Sequence, residues 1–228
     1  MKNFFTKAKE FIKKYHIHIL GISVILFIST LFYFLFDSAI EKAANKRYNK
    51  YTSYEIYTEM NQLTYDSLKS VLVEQVNSYI QQCAPTSALD GLVVVNNCIY
   101  YDIDICFVLA QGEIESHFGT KGLGSKINNV FNVGVFDGKS IYEIDKKYKP
   151  DHPNESIGLY LELLTTNYLV GKVEEDLMQN YVDKNGNRYA SNPDYESMFS
   201  VKYKYICENT KIKEIQDIMH SYAVKCNR

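Results

Sequence analysis

The sequence predicts a mostly helical α+β domain, preceded by one transmembrane helix and a helical stalk. Three observations carry this. Ile19 to Phe36 read ILGISVILFISTLFYFLF, eighteen residues without a charge. Apolar residues recur at helical spacing through 66–82, 92–101, 105–118, 155–169 and the C-terminal KIKEIQDIMHSYAV. Between the third and fourth of these runs lies GTKGLGSKINNVFNVGVFDGKS, too rich in Gly and Asn for a long helix, which reads as loop, turn and short strand.

The apolar run comes first in the chain. As a helix it covers ~27 Å at about 1.5 Å per residue, close to the hydrocarbon thickness of a bilayer. No polar stripe runs along it, so a buried core helix fits poorly. Lys2, Lys7, Lys9, Lys13 and Lys14 precede it and hold the N-terminus in the cytoplasm, although Lys42, Lys46, Arg47 and Lys50 follow and weaken the bias. A cleaved secretory signal is the alternative. The stretch is longer than the usual apolar region of about 7–15 residues, and no A-x-A site directly follows Phe36, so an uncleaved anchor is expected. His16 and His18 fall at its edge and read as interfacial. The expected organisation is a cytoplasmic tail (1–16), an anchor (17–37) embedded in the lipid bilayer, a stalk (38–65), a globular domain (66–206) and a C-terminal helix (207–228).

The 228 residues are enough for one domain with a hydrophobic core. With 25 basic against 27 acidic residues, the chain lacks the basic excess of a nucleic-acid binder held by phosphate contacts. Cys83, Cys98, Cys106, Cys207 and Cys226 form no CxxC pair, which argues against a zinc knuckle or a thioredoxin-like site. Buried free thiols are expected, with up to two disulfides in an oxidising compartment. No metal site and no cofactor are expected.

Within the domain, Asp66 to Gln82 places Leu68, Val71, Leu72, Val76, Tyr79 and Ile80 at helical spacing. CAPTSALDG breaks the pattern, and Leu92 to Tyr101 resumes it. Asp102 or Asp104 can cap the next helix, Ile105 to Phe118, which is apolar nearly all round and should cross the core. His152 to Asn154 with Glu155 reads as the start of another core helix, and Asn185-Gly186 as a tight turn between two short segments.

The helix from Ile105 to Phe118 holds the candidate chemistry. Glu113 and Glu115, two residues apart, point about 200° from one another, so at most one lines any given cleft. A carboxylate at the end of an apolar helix meets desolvation and the negative end of the helix dipole. Both raise its pKa and suit a general acid acting on a glycosidic oxygen. Glu113 lies four residues before His117 and is a candidate for a structural pair; the same spacing could also hold a metal, with His152 as a distant third ligand. Geometry leaves Glu115 only modestly ahead.

The segment Ala110-Gln111-Gly112-Glu113-Ile114-Glu115-Ser116-His117-Phe118-Gly119 resembles the A-Q-x-x-x-E-S-x-[WF]-G segment of bacterial and phage β-N-acetylglucosaminidases of glycoside hydrolase family 73. Asn128-Asn129-Val130-Phe131-Asn132-Val133-Gly134 resembles that family's N-N-L-F-G-I, with Asn132 in place of Gly. Glu155-Ser156-Ile157 to Tyr160 is similar to its E-S-I-x-x-Y, and Arg188 to Tyr195 to its Y-A-T-D-P-x-Y. The matches run in the family's order over about residues 67 to 205.

The resemblance implies a lysozyme-like fold that cleaves peptidoglycan glycan strands, with Glu115 as catalytic acid and Tyr189 as a site tyrosine. Tyr189 fits simple packing beside the Asn-Gly turn as well. Gln111, Ser116, Asn129 and Phe131 lie in the matched segments and are candidates for binding substrate; Ser116 also fits the helix exit, and Phe131 fits core as well as cleft wall. Phe136 and Tyr142 offer aromatic faces for sugar rings. The family's second carboxylate, where assigned, falls between Gly134 and Pro150, where Glu143 is the candidate, with Asp145 and Asp137 nearby; a solvated hairpin face explains Glu143 equally well. A substrate-assisted mechanism would need no second carboxylate.

The expected protein is therefore a membrane-anchored peptidoglycan hydrolase with its domain on the wall side, of a phage virion or lysis system or of a bacterial wall-remodelling system. A lytic transglycosylase is the enzymatic alternative, although the chain lacks the G-L-M-Q-type segment usual after its E-S. A non-catalytic wall-binding or virion protein is the other.

Overall fold

A computed structural model describes residues 62–226 apart from Asp137, with side chains described as far as Tyr222. The expected anchor at 17–37, the tail before it and nearly all of the stalk lie outside the described residues. Among the described residues no helix is long and apolar enough to cross a membrane.

The domain is mostly helical. The first helix, α1, covers 62–83, four residues earlier than its apolar pattern begins. Its inward face is Leu72, Val76, Tyr79 and Ile80, while Val71 is left at 46 % exposure. Helix α2 (Gly91–Tyr101) starts on Asp90, whose side chain accepts from Leu92 N, and stops where Asp102 turns left-handed. Helix α3 (Ile105–Ser116) starts on Asp104, which accepts from Cys106 N at 2.7 Å.

Every residue of α3 from Ile105 to Gly112 is buried, so the helix is threaded through the core. It packs against α2, α6 (Tyr195–Asn209) and α7 (Ile212–Cys226). Helix α7 is anchored by Ile212, Ile215 and Met219 and by Gln216, which accepts from Ile105 N and donates to Ile103 O. Helix α4 (Glu155–Leu163) widens into a π-helical turn over Leu164–Tyr168, and a short α5 (Glu174–Gln179) follows.

The middle of the domain corrects the α+β expectation. Among the described residues it holds no strand. The chain there runs through turns with two 3₁₀ segments, Gly124–Lys126 and Lys146–Tyr148, and the one β interaction described is an isolated antiparallel bridge, Val182 to Arg188. The cause is local: His117, Phe118, Asn128 and Asn132 all have φ between 51° and 55°, and Gly119, Gly122 and Gly134 are also left-handed. Each reverses the chain before a ladder can form. Gly134 must lack a side chain, since a Cβ would lie 2.2 Å from the Tyr148 ring.

Candidate active site

Helix α3 ends abruptly. His117 and Phe118 turn left-handed, and their N–H groups bond back to the carbonyls of Glu113 and Gly112. The turn leaves Glu115 at the mouth of an open cavity of about 750 Å3. Asn132, Phe136 and Tyr148 form one wall, the end of α4 with Tyr168 another, and the 183–191 segment with Asp183, Arg188 and Tyr189 a third.

The Glu115 carboxyl is tightly held. Its Oε1 accepts from the Tyr195 hydroxyl and from Gln111 Nε2 at 3.2 Å, and its Oε2 accepts from Asn132 Nδ2 at 3.0 Å. Gln111 Nε2 also donates to the Tyr195 hydroxyl at 2.6 Å. Among the described residues no cation pairs with the carboxyl. Burial pushes its pKa up, and the hydrogen bonds from Tyr195 and Asn132 oppose that rise without cancelling it. Behind it, Tyr160, Tyr181, Tyr189 and Tyr195 pack with Phe107, Phe131 and Phe199; Tyr181 stacks on Tyr189 at 4.9 Å, and Phe131 on Tyr160 at 4.4 Å. Burial drives the hydroxyl pKa of all four tyrosines well above the ordinary value.

Glu113 points the other way. Its carboxylate accepts from Lys202 Nζ and from the Tyr79 hydroxyl, each at 2.6 Å. The expected pairing with His117 is absent, because His117 has already left the helix and cannot follow the i, i+4 geometry. The described residues also hold no group of His, Cys, Asp and Glu that could take a metal ion.

The other sequence-derived site residues scatter. Tyr189 borders the cavity with Glu115, but its hydroxyl donates to Phe131 O at 2.7 Å, bracing one wall on another. Gln111 is fully buried and acts behind the acid. Ser116, Asn129 and Phe131 are closed off from any ligand, which corrects their placement as substrate contacts. Ser116 Oγ donates to Val130 O and accepts from Gly119 N. Asn129 Nδ2 donates to Val133 O and Tyr148 O while its Oδ1 accepts from Val133 N. Phe131 is 1 % exposed.

Tyr142 is 88 % exposed and, like Glu143, is not part of the cavity lining. The Glu143 carboxylate folds back onto Ser140, accepting from its N–H and its hydroxyl, and these bonds hold its pKa low. A base across the cavity from Glu115 therefore does not come from Glu143. Asp137 lies outside the described residues.

Three residues at the site, Asn132 and Asp183 on the cavity lining and Tyr195 behind Glu115, had no role in the sequence reading. Tyr195 was visible only as the last letter of a matched motif, and Asn132 only as a departure from one. Asp183 is the other carboxylate along the described lining; it caps the tight turn, accepting from Asn185 N, Asn187 N and Asn187 Nδ2. The four cysteines with described side chains are free, with Cys98 and Cys106 buried. Compared with protein-family models and with curated proteins, the chain matches none.

Proposed function

We propose that the protein is a peptidoglycan hydrolase that cleaves β-1,4 bonds of the glycan strand as a β-N-acetylglucosaminidase, with Glu115 as general acid. One observation carries the reading: an uncompensated carboxyl, raised in pKa by burial, opens from the end of an apolar helix into a cavity large enough for sugar rings. Glu115 gives its proton to the glycosidic oxygen as the bond to C1 breaks, and water then adds at C1, its proton passing back to Glu115. Phe136, 62 % exposed on the lining, supplies an aromatic face for a sugar ring. The anchor read at 17–37 would hold the domain on the wall side of a membrane.

The second carboxylate is the open part of the mechanism. Asp183 is occupied by its own turn, which favours a reaction with one acid, in which the substrate's acetamido oxygen stabilises C1. The same observation favours a second reading, a lytic transglycosylase, which also works with one acid. Mass spectrometry of digested murein separates the two: reducing N-acetylglucosamine ends mark the first and 1,6-anhydromuramic ends the second. The deciding test is a murein zymogram of the full chain against Glu115→Gln. Clearing by the wild type alone supports the reading. Equal clearing overturns the assignment of Glu115 as the acid, and no clearing from either overturns the hydrolase reading and leaves a wall-binding or virion role.

A further inference from the structure

We propose that Asn132 is a positioning residue for Glu115, aiming its carboxyl and stabilising the anion left behind when the proton departs. The proposal rests on Glu115 being the acid. Asn132 follows Glu115 by 17 residues and returns to it through the turns of the middle segment. Its Nδ2 donates twice to the same residue, to the Glu115 backbone carbonyl at 2.8 Å and to Oε2 at 3.0 Å. A backbone carbonyl can only accept, so the amide cannot turn over without setting two oxygens face to face. The donor is thus fixed toward Oε2 whatever the protonation state of Glu115.

The site has been shaped around this amide at some expense. Asn132 has φ 51°, a left-handed conformation open to Gly and Asn but strained for most residues. Its Oδ1 is buried and has no partner among the described residues. Gly124 leaves the room the amide occupies, because a Cβ there would lie 2.7 Å from Oδ1. An unsatisfied buried acceptor is destabilising. The compensating gain is the donor held on Glu115.

The chemical consequence follows from burial. A buried acid holds its proton tightly, and releasing it creates an anion in surroundings that disfavour one. Tyr195 and Asn132 supply fixed dipoles where that charge develops, one on each oxygen. The other titratable groups around Glu115 are Tyr181 and Tyr189, buried and neutral, and at the cavity rim Tyr148, Tyr168, Asp183 and Arg188. Arg188 is paired with Glu196 and Asp183 is capped by its turn, so neither replaces Asn132.

The test uses the full chain with Asn132→Gly, which the left-handed backbone accepts, and Asn132→Asp, which keeps the shape and removes the fixed donor. Glu115 is titrated by carboxyl-carbon NMR, with Glu115→Gln assigning the resonance. The expected result is a Glu115 titration higher by about one pH unit in Asn132→Gly, the tenfold that one charge-assisted hydrogen bond is worth. The alkaline limb of the activity profile should move with it, and kcat should fall about tenfold with KM little changed. Asn132→Asp should fall further. An unchanged titration with only a lower Tm would overturn the proposal and make Asn132 a brace for the helix exit. Because the titration is read without turnover, inactivity of the wild type sinks the hydrolase reading while leaving the electrostatic claim measurable.

Discussion

Glu113 and Glu115 stand two residues apart on one helix and have been given opposite surroundings. Glu113 faces α1 and α6, where Lys202 supplies a cation and Tyr79 a hydroxyl. Glu115 faces a cavity, where among the described residues it meets two amides and a hydroxyl and no cation. A carboxylate matched with an ammonium is a fastening. One left among neutral donors in a mostly buried place holds a proton to higher pH and can give it away. Residue type and helix are the same; the half-turn between the two positions makes the difference.

The contrast can be tested from its strongest claim downwards. Glu115→Gln should lower murein hydrolysis by about a hundred- to ten-thousand-fold, the usual range for losing a general acid. Glu113→Gln, assayed on the same murein, should retain most activity per folded molecule. If the two variants behave alike, the contrast is wrong. Tyr195→Phe removes one donor from Glu115 and should cost about tenfold in kcat, with the alkaline limb of the pH profile moving upward because the anion has lost a stabilising bond.

On the other face, Lys202→Met leaves Glu113 without its cation. The expected loss is about 1–2 kcal/mol of stability, below the roughly 3–5 of a fully buried pair because the Lys202 side chain is 31 % exposed. Chemical denaturation measures it, and activity per folded molecule should be unchanged.

The smallest effect is a pH dependence. The Glu115 pKa in the folded protein lies above its unfolded value, so its contribution to stability is complete below about pH 4.3 and is lost as pH rises through the folded value. Glu115→Gln does not titrate. Its Tm relative to wild type should therefore climb with pH, and a difference that stayed flat would mean the carboxyl is not buried as described.

Much of the helical frame was legible in the sequence because its helices bury regular stripes. Leu72, Val76, Tyr79 and Ile80 announce α1, and the unbroken apolar run from Ile105 announces α3 as a core helix. Helix α6 was not legible. Of its fifteen residues only Tyr195, Phe199 and Ile206 are fully buried, and the intervening Val, Lys and Tyr residues carry no clear period. That omission hid Tyr195, which α6 delivers to Glu115.

The short strand expected in the middle failed for a different reason. Alternation in NNVFNVGV looks like a strand, yet Asn128 and Asn132 adopt left-handed backbone, and each side-chain amide is tied to a carbonyl distant in sequence. Its place at a helix end put Glu115 only modestly ahead of Glu113, and the motif resemblance made the choice. Ser116, Asn129 and Phe131 were drawn in by the same motifs, but their conservative-looking side chains close turns and fill the core. Position in a motif could not distinguish a group that touches a ligand from one that holds the wall upright.

The tyrosine pile behind the acid makes the domain its own optical reporter. The chain has 20 Tyr and no Trp, so its near-ultraviolet signal is phenolic throughout. Tyr160, Tyr181, Tyr189 and Tyr195 stay protonated well past the pH near 10 at which free phenols ionise. Raising the pH should first ionise the exposed rings, and those that burial protects, Tyr79 and Tyr203 as well as these four, only when the architecture gives way. A two-step phenolate absorbance curve would then time the collapse of the domain around Glu115 with no label attached.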